Sequence, residues 1–252
     1  MAYDPIEPGA APMLPTYIVL TVFCCFMTIL LFIRWRQRNK RAPFLLFLTF
    51  LTYTLCITVL MAGFADAMIS GYKRELYRFS LAFGYAGIMV ANCFLLYFAA
   101  DIFGIKHELL KKYIICSLII AVAVALPWNY YGVPDAEINK SLYIRPFTSI
   151  SMVIFSILTY SKIYGQAMRV HAMVDERVAK IGFRLIAYSQ IFMIMLFVFL
   201  FVDVVVFALT DLKGYTIFTY LGWACAGLFM IFSYLGLIMP KWLRSRFEDI
   251  SA

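Results

Sequence analysis

The chain carries little charge and almost no histidine. Across 252 residues Lys, Arg, Asp and Glu make up 14%, and the two histidines are His107 and His171. Both stand at the ends of apolar runs, so neither offers a buried axial ligand for a haem. The six cysteines, Cys24, Cys25, Cys56, Cys93, Cys116 and Cys225, all fall inside apolar runs. The connecting segments hold none, which excludes a disulfide framework there, and the absence of C-x-x-C spacing argues no metal site. H-E-x-x-H and G-x-S-x-G are missing too. Residues 1–13 contain Asp4 and Glu7 but no basic residue, so the positive n-region of a cleaved signal peptide is lacking and the first apolar run is expected to be retained. These absences imply neither an enzyme nor a cofactor.

What is present is apolar sequence. The chain is 64% hydrophobic, with a mean hydropathy of +0.86. A soluble core cannot absorb that much, whereas a bilayer can, in spans of about 20 residues. Apolar runs occur at 14–33, 43–64, 79–103, 113–132, 147–165, 185–209 and 215–239. Backbone polar groups in lipid must be satisfied within each segment, so the runs predict helices. The expected fold is an all-α, seven-transmembrane-helix bundle. It has a short extracytoplasmic tail (1–13), a membrane domain (14–239) and a cytoplasmic tail (240–252).

The cations set the expected orientation. Arg34, Arg36, Arg38, Lys40 and Arg41 follow the first run, and Lys106, Lys111 and Lys112 follow the third. The same side receives Lys162, Arg169, Arg177, Lys180 and Arg184 after the fifth run, and Lys241, Arg244 and Arg246 after the seventh. The other side holds Lys73, Arg74, Arg78, Lys140, Arg145 and Lys213. This asymmetry predicts an N-terminus outside and a C-terminus in the cytoplasm of a cell-membrane protein. The net charge of +8 is then largely topological. It draws the inner face to anionic lipid and does not point to nucleic acid.

Within the apolar runs, ionisable and polar groups are the candidates for function. Asp203 interrupts LFVFLFVDVVVFAL, six residues before Leu209 and so roughly 9 Å inside the outer end of the sixth helix. An aspartate at a helix centre costs about 2.5–3.5 kcal/mol on insertion scales, and less at this depth. Phe192, Leu196, Phe199, Asp203 and Phe207 recur at steps of three and four, placing the carboxylate in an aromatic stripe. Three roles are open: pairing with Arg78 or Arg145 at the outer rim, anchoring a cationic or hydrogen-bonding ligand, or carrying a proton in transport. Asn92, Tyr53, Thr54 and Gln190 are polar groups suited to bonds between helices, worth about 0.6–2 kcal/mol each. Asp101, in FAADIFG, opposes the macrodipole at the end of the third helix and calls for a cation, Lys106 or the Arg34–Arg41 cluster. That makes it an inner-face lock or switch. Ala82, Ala86, Gly87 and Ala91 in the third run, with Gly222 and Ala226 in the seventh, are small residues at i, i+4, suited to close helix contacts or to a protomer interface.

Two seven-helix families are excluded by particular residues. The seventh run, YTIFTYLGWACAGLFMIFSYLGLIMP, lacks the lysine of a retinal Schiff base. AADIFG and FSYLGLIMP stand where animal G-protein-coupled receptors carry D/E-R-Y and N-P-x-x-Y. In its short loops, outside N-terminus and basic first inner loop, the chain resembles the seven-helix sensor regions of prokaryotic histidine kinases. That resemblance implies a receptor or sensor that responds to a small ligand and signals through a separate membrane or cytoplasmic partner. A small transporter or channel using Asp203 is the alternative. A non-catalytic scaffold subunit, or a homo-oligomer built on the small-residue faces, is another.

Overall fold

The computed structural model describes residues 3, 5–7, 9–104, 107–126, 144–210, 215–240 and 245, without the side chains of 107, 109, 144–146, 204, 207 and 208. The described residues form seven helices: α1 (Met13–Arg38), α2 (Arg41–Ser70), α3 (Glu75–Phe103), α4 (His107–Ala125), α5 (Ile144–Met173), α6 (Arg177–Thr210) and α7 (Ile217–Ile238). Six of them are long and apolar enough to cross a membrane.

Helix α4 falls short of that. It opens on HELLKK, and its apolar part within the described residues runs only from Tyr113 to Ala125. At 1.5 Å per residue that is about 20 Å, against a hydrocarbon core of about 30 Å. The rest of the expected 113–132 span, including Pro127 and Trp128, lies outside the described residues. The structure supports six spans and leaves the seventh without support.

The helices stop where the backbone can turn. Gly71 and Gly104 end α2 and α3 in the left-handed region, at φ 73° and 67°. Gly104 N–H bonds back to the Ala100 carbonyl at 3.0 Å, the exit that glycine makes easy. Asn39 does the same after α1, its N–H meeting the Trp35 carbonyl at 2.7 Å. Short turns of this kind make antiparallel neighbours of α1 and α2, α2 and α3, and α5 and α6.

In cross-section α1, α2, α3, α5, α6 and α7 follow one another around a ring that closes where α7 returns to α1. Helix α4 packs outside this ring, against α3 and α5. Its own small core joins Cys93, Leu96 and Ala100 to Leu110 and Ile114. Helices α3 and α5 run parallel, since Met89 meets Ser156 and, one turn on in both helices, Asn92 meets Tyr160.

The bundle has apolar residues on its outside as well as in its core. Val19, Val22 and Ile29 of α1 are 66%, 64% and 59% exposed, and Ile119 and Val122 of α4 are 62% and 63% exposed. Contiguous apolar faces of this size do not face water in soluble monomers. They suit lipid.

The small residues work inside the bundle. A Cβ on Gly84 would lie 2.9 Å from the Leu60 side chain, and one on Gly87 would overlap Cys56 Sγ, both on α2. Gly222 faces Leu196 and Leu200 of α6. Nearer the basic end, a Cβ on Gly236 would come within 3.0 Å of the Gly182 carbonyl. Close backbone approach therefore occurs at α2–α3 and α6–α7, where packing drives association in the absence of a hydrophobic force.

The residues before α1 are folded down across the end opposite the basic one. Ile6 N–H bonds to the Gly71 carbonyl at 3.0 Å, Glu7 pairs with Lys73, and the Gly9 carbonyl accepts from Tyr220 Oη at 2.6 Å. These residues form a strap joining the α2–α3 turn to α7.

Candidate functional site

Asp203 lies half-buried on α6, and its recorded partner is a hydroxyl. Thr216 Oγ1 donates to Asp203 Oδ1. The same oxygen accepts the Phe218 N–H at 3.1 Å, so Thr216 is the N-cap of α7. Capping satisfies one of the free amides of a helix start, and that end of the helix dipole favours negative charge. The carboxylate is thus linked through one oxygen to the positive end of α7. Among the described residues no cation pairs with it. Arg78 instead places its guanidinium 5.9 Å from the Tyr3 ring, in the strap. The side chains of Arg145 and Phe207 lie outside the described residues. Phe199, one turn before Asp203 on α6, stacks on Phe218, with ring centroids 6.4 Å apart.

The residue beside Thr216 extends this site. Tyr215 packs edge-on to Phe64 at 6.1 Å, and its Oη is 3.5 Å from Tyr77 Oη. Phe64 also meets Tyr17 at 5.4 Å, and Tyr17 meets Trp223 at 4.9 Å. Five aromatic rings from α1, α2, α3 and the start of α7 therefore gather beneath the strap, with Asp203 and Thr216 at their edge. No periodicity within one helix links these rings, because each helix supplies one or two.

Deeper in the bundle a second polar group joins α2, α3 and α5. Asn92, Ser156 and Tyr160 are fully buried and Tyr53 nearly so. Tyr160 Oη donates to Asn92 Oδ1 at 2.7 Å. With its proton committed there, Tyr160 accepts from Tyr53 Oη at 3.0 Å. Asn92 Nδ2 donates to Ser156 Oγ at 3.2 Å, and Ser156 leans on Met89 Sδ at 3.8 Å. Each buried donor is satisfied and the chain runs one way, which stiffens the centre. Tyr160 and Ser156 were not singled out from sequence, although their four-residue spacing puts them on one face of α5. Thr54 reaches Thr28 of α1 at 2.8 Å. Gln190 bonds only within its own helix, to Ser189 Oγ at 3.0 Å and the Ile186 carbonyl at 3.4 Å.

At the basic end two arginines fasten helix ends. Asp101 Oδ2 lies 3.3 Å from Arg41 Nε, joining the close of α3 to the start of α2. Arg34 forks onto the last carbonyls of α7, with Nη1 2.9 Å from Leu237 O and Nη2 2.7 Å from Ile238 O. A cation at a helix C-terminus is favourable, and the fork closes the ring between α1 and α7. Sequence marked Arg34 as a topological charge and as one of the cations within reach of Asp101, not as a clasp on α7.

Compared with family models, curated proteins and solved structures, the chain matches none, so its function is argued from these residues alone.

Proposed function

We propose that the chain is a seven-span membrane receptor, N-terminus outside, that takes a small cationic or hydrogen-bonding ligand at its outer end. The observation that carries this reading is the junction at Thr216. There a carboxylate unpaired with any described cation bonds to Thr216, whose chain neighbour Tyr215 belongs to a cluster of five aromatic rings under the strap. Aromatic faces beside a carboxylate are the chemistry that holds organic cations. Because Thr216 also caps α7, a ligand that draws on Asp203 acts directly on the α6–α7 hairpin. That hairpin ends at Arg34 on the opposite side, where a protein partner would sense the movement.

The parallel sense of α3 and α5 supports a crossing between them, made by α4 with the residues that follow it. The distribution of cations supports the orientation.

The test is a melting curve of the purified chain in detergent against choline, tetramethylammonium and tyramine. The receptor reading expects stabilisation by at least one of them, lost in Asp203→Asn, with no flux of that compound into proteoliposomes. A transporter is the second reading, favoured by the one-way hydroxyl–amide chain from Tyr53 to Ser156. Flux abolished by Asp203→Asn would establish it. If Asp203→Asn lowers stability and changes neither response, the carboxylate is a structural cap and the receptor reading is lost. A scaffold role would have to use surfaces other than Gly87 and Gly222, which pack within the bundle.

A further inference from the structure

A cavity of about 580 Å³ opens at the basic end, between the end of α5, the start of α6 and α7. Its volume is that of a small-molecule site. Its mouth is basic: Lys180 and Arg184 of α6 line it, with Arg177 above them and His171 opposite. Its membrane-side wall is apolar, formed by Leu185 and by Phe232 of α7.

Three features of this cavity point the same way. First, Lys180 and Arg184 follow at a step of four, so they share one face of α6 and repel one another. Second, no acidic residue lines the cavity among the described residues, Asp175 and Glu176 standing just before α6 and outside it. Cations at that end of a helix also oppose its dipole. Third, the donors are held in place. Arg184 Nε donates to Tyr188 Oη at 3.0 Å and its guanidinium lies 5.3 Å from the Tyr188 ring centroid. His171 Nδ1–H donates to the Lys180 carbonyl at 2.8 Å, which fixes the ring across the α5–α6 turn. An anion at the mouth relieves the repulsion along α6.

We infer that this cavity binds a phosphate monoester, with the headgroup held by Lys180 and Arg184. The apolar wall of Leu185 and Phe232 makes an anionic membrane lipid the favoured source over a soluble organophosphate. The inference needs neither the orientation of the chain nor the Asp203 site.

The test measures binding to the full chain in a neutral detergent, using dioctanoyl phosphatidic acid, dioctanoyl phosphatidylcholine and glycerol 3-phosphate. Phosphatidic acid is expected to bind at least tenfold more tightly than phosphatidylcholine. Lys180→Gln with Arg184→Gln is expected to weaken it at least tenfold. Arg36→Gln with Arg169→Gln removes the same charge outside the cavity and is expected to change it less than twofold. Glycerol 3-phosphate binding more than tenfold weaker than the lipid supports a membrane source; equal binding supports the same site with a soluble ligand. Equal affinity for the two lipids, or an equal loss in both double variants, overturns the site. In the absence of ligand, Lys180→Gln alone is expected to raise the melting temperature by relieving repulsion. A fall shows that Lys180 serves the fold and overturns the inference.

Discussion

Replacing Tyr160 by phenylalanine removes one oxygen from the centre of the bundle and nothing else. The ring keeps its stacking on Phe197, at 6.0 Å and 22°, so the lost term is polar. Two hydrogen bonds go, the 2.7 Å bond to Asn92 and the 3.0 Å bond from Tyr53. Bonds between membrane helices average about 0.6 kcal/mol and reach about 1.7 kcal/mol, so the predicted loss is about 1–3 kcal/mol. The upper part of that range applies because Asn92 Oδ1 is left buried without its donor. Tyr53→Phe breaks only the weaker of the two bonds and is predicted to cost about 0.6 kcal/mol. The double variant should then cost no more than Tyr160→Phe alone, because the Tyr53 hydroxyl has no other partner among the described residues. The assay is reversible unfolding in mixed micelles, with the three variants forming a double-mutant cycle. Additive losses, or a Tyr53→Phe loss as large as that of Tyr160→Phe, would refute the one-way chain.

Three further predictions use the same assay. Arg34→Ala should lose about 1–3 kcal/mol, the worth of a charge-assisted bond at a helix end, with Arg34→Lys recovering part of it; no loss would show that the fork to α7 is idle. Gly87→Ala should cost about 1–3 kcal/mol through overlap with Cys56 Sγ, less up to about 1 kcal/mol of helix propensity. Adding Cys56→Ala should make the pair more stable than the two single losses combined, and simple additivity would place the strain elsewhere. Asp101→Asn should change stability by less than about 1 kcal/mol, because Arg41 is 66% exposed and such pairs are weak; a larger loss would give Asp101 a role beyond fastening two helix ends.

The membrane character of the chain was legible because an apolar run long enough to span has few alternatives. The helix ends were less so. Helix α6 begins at Arg177, eight residues before its apolar run, since hydrogen bonding along a helix continues past the lipid boundary with Arg177, Lys180 and Arg184 in solvent. The fourth span, expected at 113–132, is described only as far as residue 126, and its helix starts earlier than its apolar run because the charges of HELLKK lie within it. Asp203 was visible as an anomaly, but its partner was not. A search for cations passes over Thr216, whose hydroxyl reaches the carboxylate only once α6 and α7 have folded back on each other. Asn92 stood out as a polar residue in an apolar run, whereas Tyr160 was hidden among 17 tyrosines. Small residues at i, i+4 marked close contacts correctly in kind, but spacing alone does not say which neighbour they meet.

The fork of Arg34 has a consequence for the order in which the protein is made. Its acceptors lie 203 residues further along the chain. At roughly 5–20 residues per second, α1 leaves the ribosome about 10–40 s before α7 exists. Through that interval its seam for α7 stands open to lipid, and the Arg34 guanidinium has no carbonyls to grip. Ring closure therefore waits until α7 has been made. A chain stalled before Leu237 presents an unsealed seam and an ungripped arginine, the features by which membrane quality control would distinguish it from a finished molecule.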